Sequence, residues 1–326
     1  MRIYKAAPRL LITLATVHCL GGATAVDAQQ AVGWRFAAPE AGAAWFQALD
    51  ALHLASPGAL PFYRTPGSPQ SALARTISSG SGYEILHFVP LYYPSASPAA
   101  LARALRDAAA SSAVPSAPRA AFLVGVLRAT LPTDALRAPL AALADALEHS
   151  QPATVSTAAI ERWQHEWDRR FASALAPFLH AERLDGGMVM ISAALGPEGR
   201  LFAGRPDDRS DNVAAVGTLD APPDADVPLF ALVRELCFPV VSRAADQAPA
   251  LRASRADAAR RSSMAAVRCG AELLDRLLPA EAAAYRDHWR HATGLSDGTD
   301  FDSLFPPDLV LAPRIRTAIA RSAPRP

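Results

Sequence analysis

Lysine is almost missing from this chain of 326 residues: Lys5 stands alone, and arginine supplies every other permanent positive charge. The 32 basic residues are met by 31 acidic ones, for a formal net charge of +1, so there is no one-signed field to draw in nucleic acid or anionic lipid. Cysteine is scarce, with three in total and no Cys-x-x-Cys, which excludes a disulfide-dense miniprotein and a paired-thiolate zinc or redox motif. Charge itself is thin, at 19% against 51% hydrophobic residues, and a chain of that balance folds rather than staying disordered. Past the first 20 or so residues no stretch reaches about 18 uninterrupted apolar positions, so no membrane-spanning segment is expected. The sequence also lacks a Gly-x-Ser-x-Gly elbow, a phosphate-cradling glycine loop, a dinucleotide fingerprint, an internal repeat and a heptad array. Most enzyme classes therefore have no foothold, and alanine-rich stretches indicate helix and little else.

What is present begins with residues 1–28, which carry the marks of an export signal. Arg2, Lys5 and Arg9 precede an apolar run from Leu10 to Leu20, and small residues then end at Ala25 or Ala28. Cys19 suggests a lipid anchor, but Thr16 and His18 occupy the places where a lipoprotein signal carries a large aliphatic and a small residue. The expectation is a secreted or periplasmic protein. Such a leader takes +2 with it (Arg2, Lys5 and Arg9 against Asp27), leaving a net charge of −1. It also takes Cys19, leaving Cys237 and Cys269 as an even pair in an oxidising compartment. A bridge between them would contribute about 2–4 kcal/mol by restricting the unfolded chain; the alternative is two separate buried thiols.

Along the rest of the chain the spacing predicts an α+β fold, predominantly helical, with a small antiparallel sheet or hairpin. Residues 29–35 read as a mobile start and 39–54 as a helix through Trp45, Leu49 and Leu52. Residues 56–81, rich in Pro, Gly and Ser, read as irregular, and Tyr83 to Tyr93 as a short strand. Helices are expected at 98–110, 119–130 and 133–149, the last capped by Thr133. Over 156–179, Ile160, Trp163, Trp167, Phe171, Leu175 and Phe178 form one stripe of helical period and are assigned to the core. Residues 186–204 suit a β-hairpin around Gly-Pro-Glu-Gly, 205–228 a long loop, and 228–246 and 255–293 helices, the second broken at Pro279. The division is then 1–28 signal peptide, 29–155 mostly helical, 156–305 a second region, and 306–326 a flexible tail.

Few residues could carry chemistry. His165-Glu166 looks like half of a zinc motif, yet with Trp163 at zero a helix puts His165 near about 200°, away from the apolar stripe. His288 and His291, three apart, could share one ion but lack further ligands, while His87 and His180 are isolated. The informative string is Arg234-Glu235-Leu236-Cys237-Phe238. An adjacent charge pair inside the apolar segment PLFALVRELCFPVV needs a partner, because uncompensated burial of charge costs several kcal/mol. In zinc peptidases with His-Glu-x-x-His, such a helix sets two imidazoles on the metal and the Glu between them acts as general base.

This string and its surroundings resemble a zincin-type metallopeptidase-like family of unassigned function (DUF4932-like). The likeness covers about residues 160–293 in order and pattern: a hairpin-like stretch, a long loop, and an apolar helix bearing the motif with Pro239 directly after it. A downstream helix then supplies an acidic ligand, here Glu272. The resemblance implies zincin-like helices, with Arg234 and Phe238 at the two ligand positions, Glu272 at the third and Glu235 at the general base. The chain departs from the pattern where it matters, since neither guanidinium nor phenyl binds Zn²⁺. No cofactor is then expected. Arg234 would stand in for the cation and neutralise Glu235 or Glu272, and a Cys237–Cys269 bridge would clamp the two helices around the former site.

Three functions compete. The first is an exported binding or structural module on a metallopeptidase-like scaffold that has lost zinc and catalysis, with a peptide or protein partner and no nucleic acid. The second is an active metal-dependent peptidase with atypical ligands, drawing on His288, His291 and Glu272 with Tyr285 as a donor. The third is an unrelated helical binding protein with 205–228 as a partner loop.

Overall fold

Trp34–Ala37 (β1), Gly187–Ile191 (β2), Gly199–Phe202 (β3) and Val213–Val216 (β4) form one sheet in the order β1-β2-β4-β3. The computed structural model describes residues 33–54, 71–111, 114–196, 199–204, 211–218, 226–248, 255–293 and 299–322, so the expected signal peptide lies outside the described residues. The described residues belong to a single compact unit. β2 pairs in parallel with β1 and β4, and β3 pairs antiparallel with β4.

Alternation along these short strands sorts the core into two layers. Trp34, Phe36, Val189, Ile191, Ala214 and Val216 enter one apolar cluster, while Met190, Val213 and Ala215 enter the other. The second cluster is covered by the N-terminal helices: α1 (Glu40–Ala51), α2 (Ala72–Ser79), α3 (Val89–Tyr92), α4 (Pro98–Ala109), α5 (Pro118–Thr130), α6 (Asp134–Arg137) and α7 (Pro139–Glu148). The first cluster is covered by α8 (Thr157–Glu166), α9 (Ser173–Glu182), α10 (Val227–Asp246), α11 (Arg255–Leu277), α12 (Pro279–Ala292), α13 (Phe301–Leu304) and α14 (Ala312–Arg321). Both helical layers pack on the same sheet.

The architecture is thus predominantly helical α+β, as the patterning predicts, and several local expectations hold. Thr133 caps α6 by accepting from the Leu136 amide, and Pro279 separates α11 from α12 at its first position. The Trp163, Trp167, Phe171, Leu175 and Phe178 stripe is buried in the core, across a π-helical turn at Trp167–Ala172 that joins α8 to α9. From that turn Arg170 reaches Asp226 at 2.8 Å and also Glu281, tying the N-terminal ends of α10 and α12 to the sheet-covering helix.

Other expectations are corrected. Residues 186–204 are not a hairpin, and the sheet is mixed: β2 and β3 are separated by β4, a strand from within the supposed long loop 205–228. Its sequence, Val-Ala-Ala-Val, is buried at every position, so it shows no polar alternation to betray it. Of the expected mobile start at 29–35, residues 29–32 lie outside the described residues, while Trp34 is buried in β1 with its indole N–H donating to the Leu184 carbonyl at 2.9 Å. Tyr83 to Tyr93 is not a strand but a 3₁₀ turn, Tyr83–Phe88, running into α3, where Pro90 sits in the first helical turn with no amide to lose. The flexible tail expected over 306–326 is not free: it carries a helix, Ala312–Arg321, seated on the core through Ile315, Ala318 and Ile319, while residues 323–326 lie outside the described residues.

β1 lies at the sheet edge, where its outer backbone groups need partners. Gln164 of α8 supplies them: its Oε1 accepts from the Phe36 amide at 2.9 Å and its Nε2 donates to the Trp34 carbonyl at 3.1 Å. One side-chain amide therefore stands in for a neighbouring strand. At the other edge, β3 runs beside α10 and sets the frame for the site described next.

Candidate functional site

α10 is a helix apolar on nearly all sides, which suits a position inside the core. Arg234 and Glu235 sit in its middle at 3% and 1% exposure, an uncommon place for two charges. Their burial is compensated locally. Arg234 Nη1 donates to Glu235 Oε1 at 2.5 Å, and Nη2 donates to Ser263 Oγ of α11 at 2.5 Å. The guanidinium carbon lies 4.9 Å from the centre of the Phe238 ring, one turn along α10, and 5.6 Å from that of Trp289 on α12. A planar, weakly hydrated cation is suited to such aromatic faces.

Glu235 is held from the sheet side. A Cβ on Gly199, the first residue of β3, would overlap the Glu235 side chain, so the strand approaches α10 only because that position is glycine. Cys237 and Cys269 lie at disulfide distance with their Cα atoms 6.0 Å apart, joining α10 to α11 as anticipated. Arg234, Glu235 and Phe238 thus form one assembly beside a covalent clamp.

Glu272 does not join them. It lies nine positions beyond Ser263, about half a turn around α11, and its partners are Arg268 at 3.6 Å and Arg316 of α14 at 3.4 Å. Of the two carboxylates that Arg234 was expected to neutralise, the structure gives it Glu235. Tyr285 is fully buried, its hydroxyl donating to the Val267 carbonyl at 3.1 Å and its ring filling the notch over Gly270. Those contacts make it a packing residue between α12 and α11.

The histidines are equally dispersed. The His288 ring rests against Phe230 and Trp289, with centres 5.6 Å and 4.9 Å away. The residue as a whole is half-buried, but its Nε2 is sealed from solvent with no hydrogen-bond partner. Burial therefore pushes the imidazole down to about 4, and His291 acts in the same direction. His291 is exposed, with Nδ1 on the Asp287 carbonyl at 2.7 Å. His165 is exposed as expected, and His180 is exposed and paired with Asp185. His87 is buried in the 3₁₀ turn. No group of three or more His, Cys, Asp or Glu among the described residues is placed to hold a metal ion.

Sequence reasoning missed Ser263, Trp289 and Gly199. Trp289 stands next to His288 in the same HWRH string, where attention to metal ligands obscured it. Ser263 and Gly199 carry no signal in sequence, because a serine in an alanine-rich helix and a glycine after a turn are both ordinary. Comparison with family models, curated proteins and solved structures finds no match to this chain.

Proposed function

We propose that this chain is an exported binding or structural module built on a metallopeptidase-like scaffold in which the metal has been replaced by an arginine. The observation that carries this reading is the engagement of both Arg234 Nη groups: carboxylate, hydroxyl and two aromatic rings surround a fixed cation at the first ligand position of the motif. A guanidinium there pairs with Glu235 without providing an activated water, so the charge pair serves architecture rather than hydrolysis. Two further features support the reading. The antiparallel edge strand β3 flanks the motif helix, and Cys237 and Cys269 at disulfide distance fit an oxidising compartment. No described helix is long and apolar enough to cross a membrane.

The test is metal analysis of the purified full chain together with an Arg234→His, Phe238→His double variant. The native protein is expected to hold no stoichiometric zinc and to show no chelator-sensitive peptidase activity. The double variant, with imidazoles one turn apart on α10, is expected to take up Zn²⁺. Stoichiometric zinc in the native protein would overturn the loss of metal, and a folded double variant that ignores zinc would overturn the metallopeptidase ancestry.

A further inference from the structure

Between the 3₁₀ turn, α3, the end of α5 and the edge strand β3, the N-terminal layer leaves a cavity of about 660 Å³. That volume is in the range that accommodates small organic ligands. Ile85, Phe88, Tyr92, Leu136, Leu201 and Phe202 form most of the described wall, and all six are only half-buried, so each keeps apolar surface that a ligand would remove from water. The aromatic part of the wall is braced. Tyr92 and Phe202 meet edge to face with ring centres 5.0 Å apart, and Phe122, 41% exposed, lies against both at 5.8 Å and 6.2 Å. Glu84 is the one carboxylate among the described lining residues, and it already has a partner within the chain.

We infer that this cavity is a binding site for a small neutral aryl compound. Aromatic rings attract one another edge to face or offset by more than the area they bury. Tyr92 and Phe202 are held in place for such a contact before a ligand arrives, which lowers the ordering cost of binding. A saturated ring system of the same outline would bury as much apolar surface but would forgo the attraction between rings. A charged ligand would exchange its hydration for a chiefly apolar wall. Because Glu84 already has a partner, an ammonium would have to compete for it, and a carboxylate would add a second negative charge beside it. Ring character and neutrality therefore decide between ligands of one shape. The site is separate from the Arg234 assembly and does not depend on the history of the metal position.

The experiment is isothermal titration calorimetry of the full chain with four probes of similar shape: naphthylethanol, its saturated analogue decalinylethanol, naphthylethylammonium and naphthylacetate. Naphthylethanol is expected to bind, the saturated alcohol at least about threefold more weakly, and both charged probes at least about tenfold more weakly. Phe202→Leu is expected to weaken naphthylethanol at least about threefold and to leave the saturated alcohol unchanged. Ala203→Trp places a bulky side chain at an exposed position of the lining and is expected to abolish binding of both alcohols. No binding of naphthylethanol, a saturated or charged probe that binds as tightly, or undiminished binding in a folded Ala203→Trp protein would overturn the proposal. Should either substitution prevent folding, the four probes on the native chain decide it alone.

Discussion

The Arg234 guanidinium meets the carboxylate of its own chain neighbour, Glu235, at 2.5 Å within a helix buried on almost every side. Successive residues on a helix point about 100° apart, so this contact requires the long arginine side chain to turn back along α10. Ser263, Phe238 and Trp289 then fix it there. The pair is consequently sensitive to the loss of one member. Arg234→Met is expected to remove from buried Glu235 the cation that answers its charge at 2.5 Å and to cost about 3–5 kcal/mol. Arg234→Met with Glu235→Leu, which removes both charges, is expected to recover most of that loss, all the more because Arg234 Nε is already sealed without a hydrogen-bond partner. Urea unfolding of the two variants measures this, and a single variant losing under about 1 kcal/mol would show that the pair is not under that constraint.

Cys237 and Cys269 are 32 positions apart, and their bridge closes the loop between α10 and α11. The entropy removed from the unfolded chain by a loop of that size corresponds to about 3–4 kcal/mol. Unfolding midpoints measured with and without a thiol reductant are expected to differ accordingly, and Cys237→Ala with Cys269→Ala should reproduce the reduced value. Identical midpoints would mean that the two sulfurs contribute only as packed apolar groups.

Long elements with a strong period were legible in the sequence, while short buried ones were not. α10 and α11 announced themselves through 20 or more residues of consistent helical pattern, and Thr133 and Pro279 marked helix ends by chemistry that acts locally. β4 escaped because four buried apolar residues carry no periodicity, and Tyr83 to Tyr93 misled because aromatic and aliphatic content suits a buried helical turn as well as a strand. The charge pair at Arg234 was legible as a conflict with its apolar surroundings. Its resolution was not, since Ser263 and Trp289 come from elements 29 and 55 positions away, and only the fold brings them near. Glu272 illustrates the converse: a plausible place in sequence order, yet on a face of α11 directed toward Arg316.

Gln164 offers a test of how the sheet edge is protected. Its amide both accepts from Phe36 and donates to Trp34, so Gln164→Leu removes two hydrogen bonds from β1 and leaves backbone groups inadequately paired beside the core. A cost of about 2 kcal/mol is expected. Faster hydrogen exchange should appear at the Phe36 amide specifically. Gln164→Glu can still accept from Phe36 but cannot donate to Trp34, so it should retain protection at that amide while losing part of the stability. Unaltered exchange at Phe36 in the leucine variant would show that β1 is held by other contacts.

His288 is expected to contribute to the acid side of the stability profile. In the folded chain its imidazole stays neutral down to about 4, whereas in the unfolded chain it protonates near the ordinary value of 6.5. Between those limits the unfolded state binds a proton that the folded state refuses, so stability falls as pH drops from about 6.5 toward about 4. Below that both states are protonated and this contribution no longer changes. The full difference corresponds to at most about 3 kcal/mol. Because the ring already packs on Phe230 and Trp289, His288→Phe keeps the aromatic contacts and removes the titration. Urea unfolding at intervals between pH 4 and pH 7 is expected to give a steeper loss of stability in the native chain than in His288→Phe. The comparison cancels the slope due to carboxylates such as Asp308, whose pKa is lowered through Arg261 despite the opposing effect of burial. Parallel curves for the two proteins would place the acid sensitivity elsewhere and show that the His288 ring reaches water in the folded state.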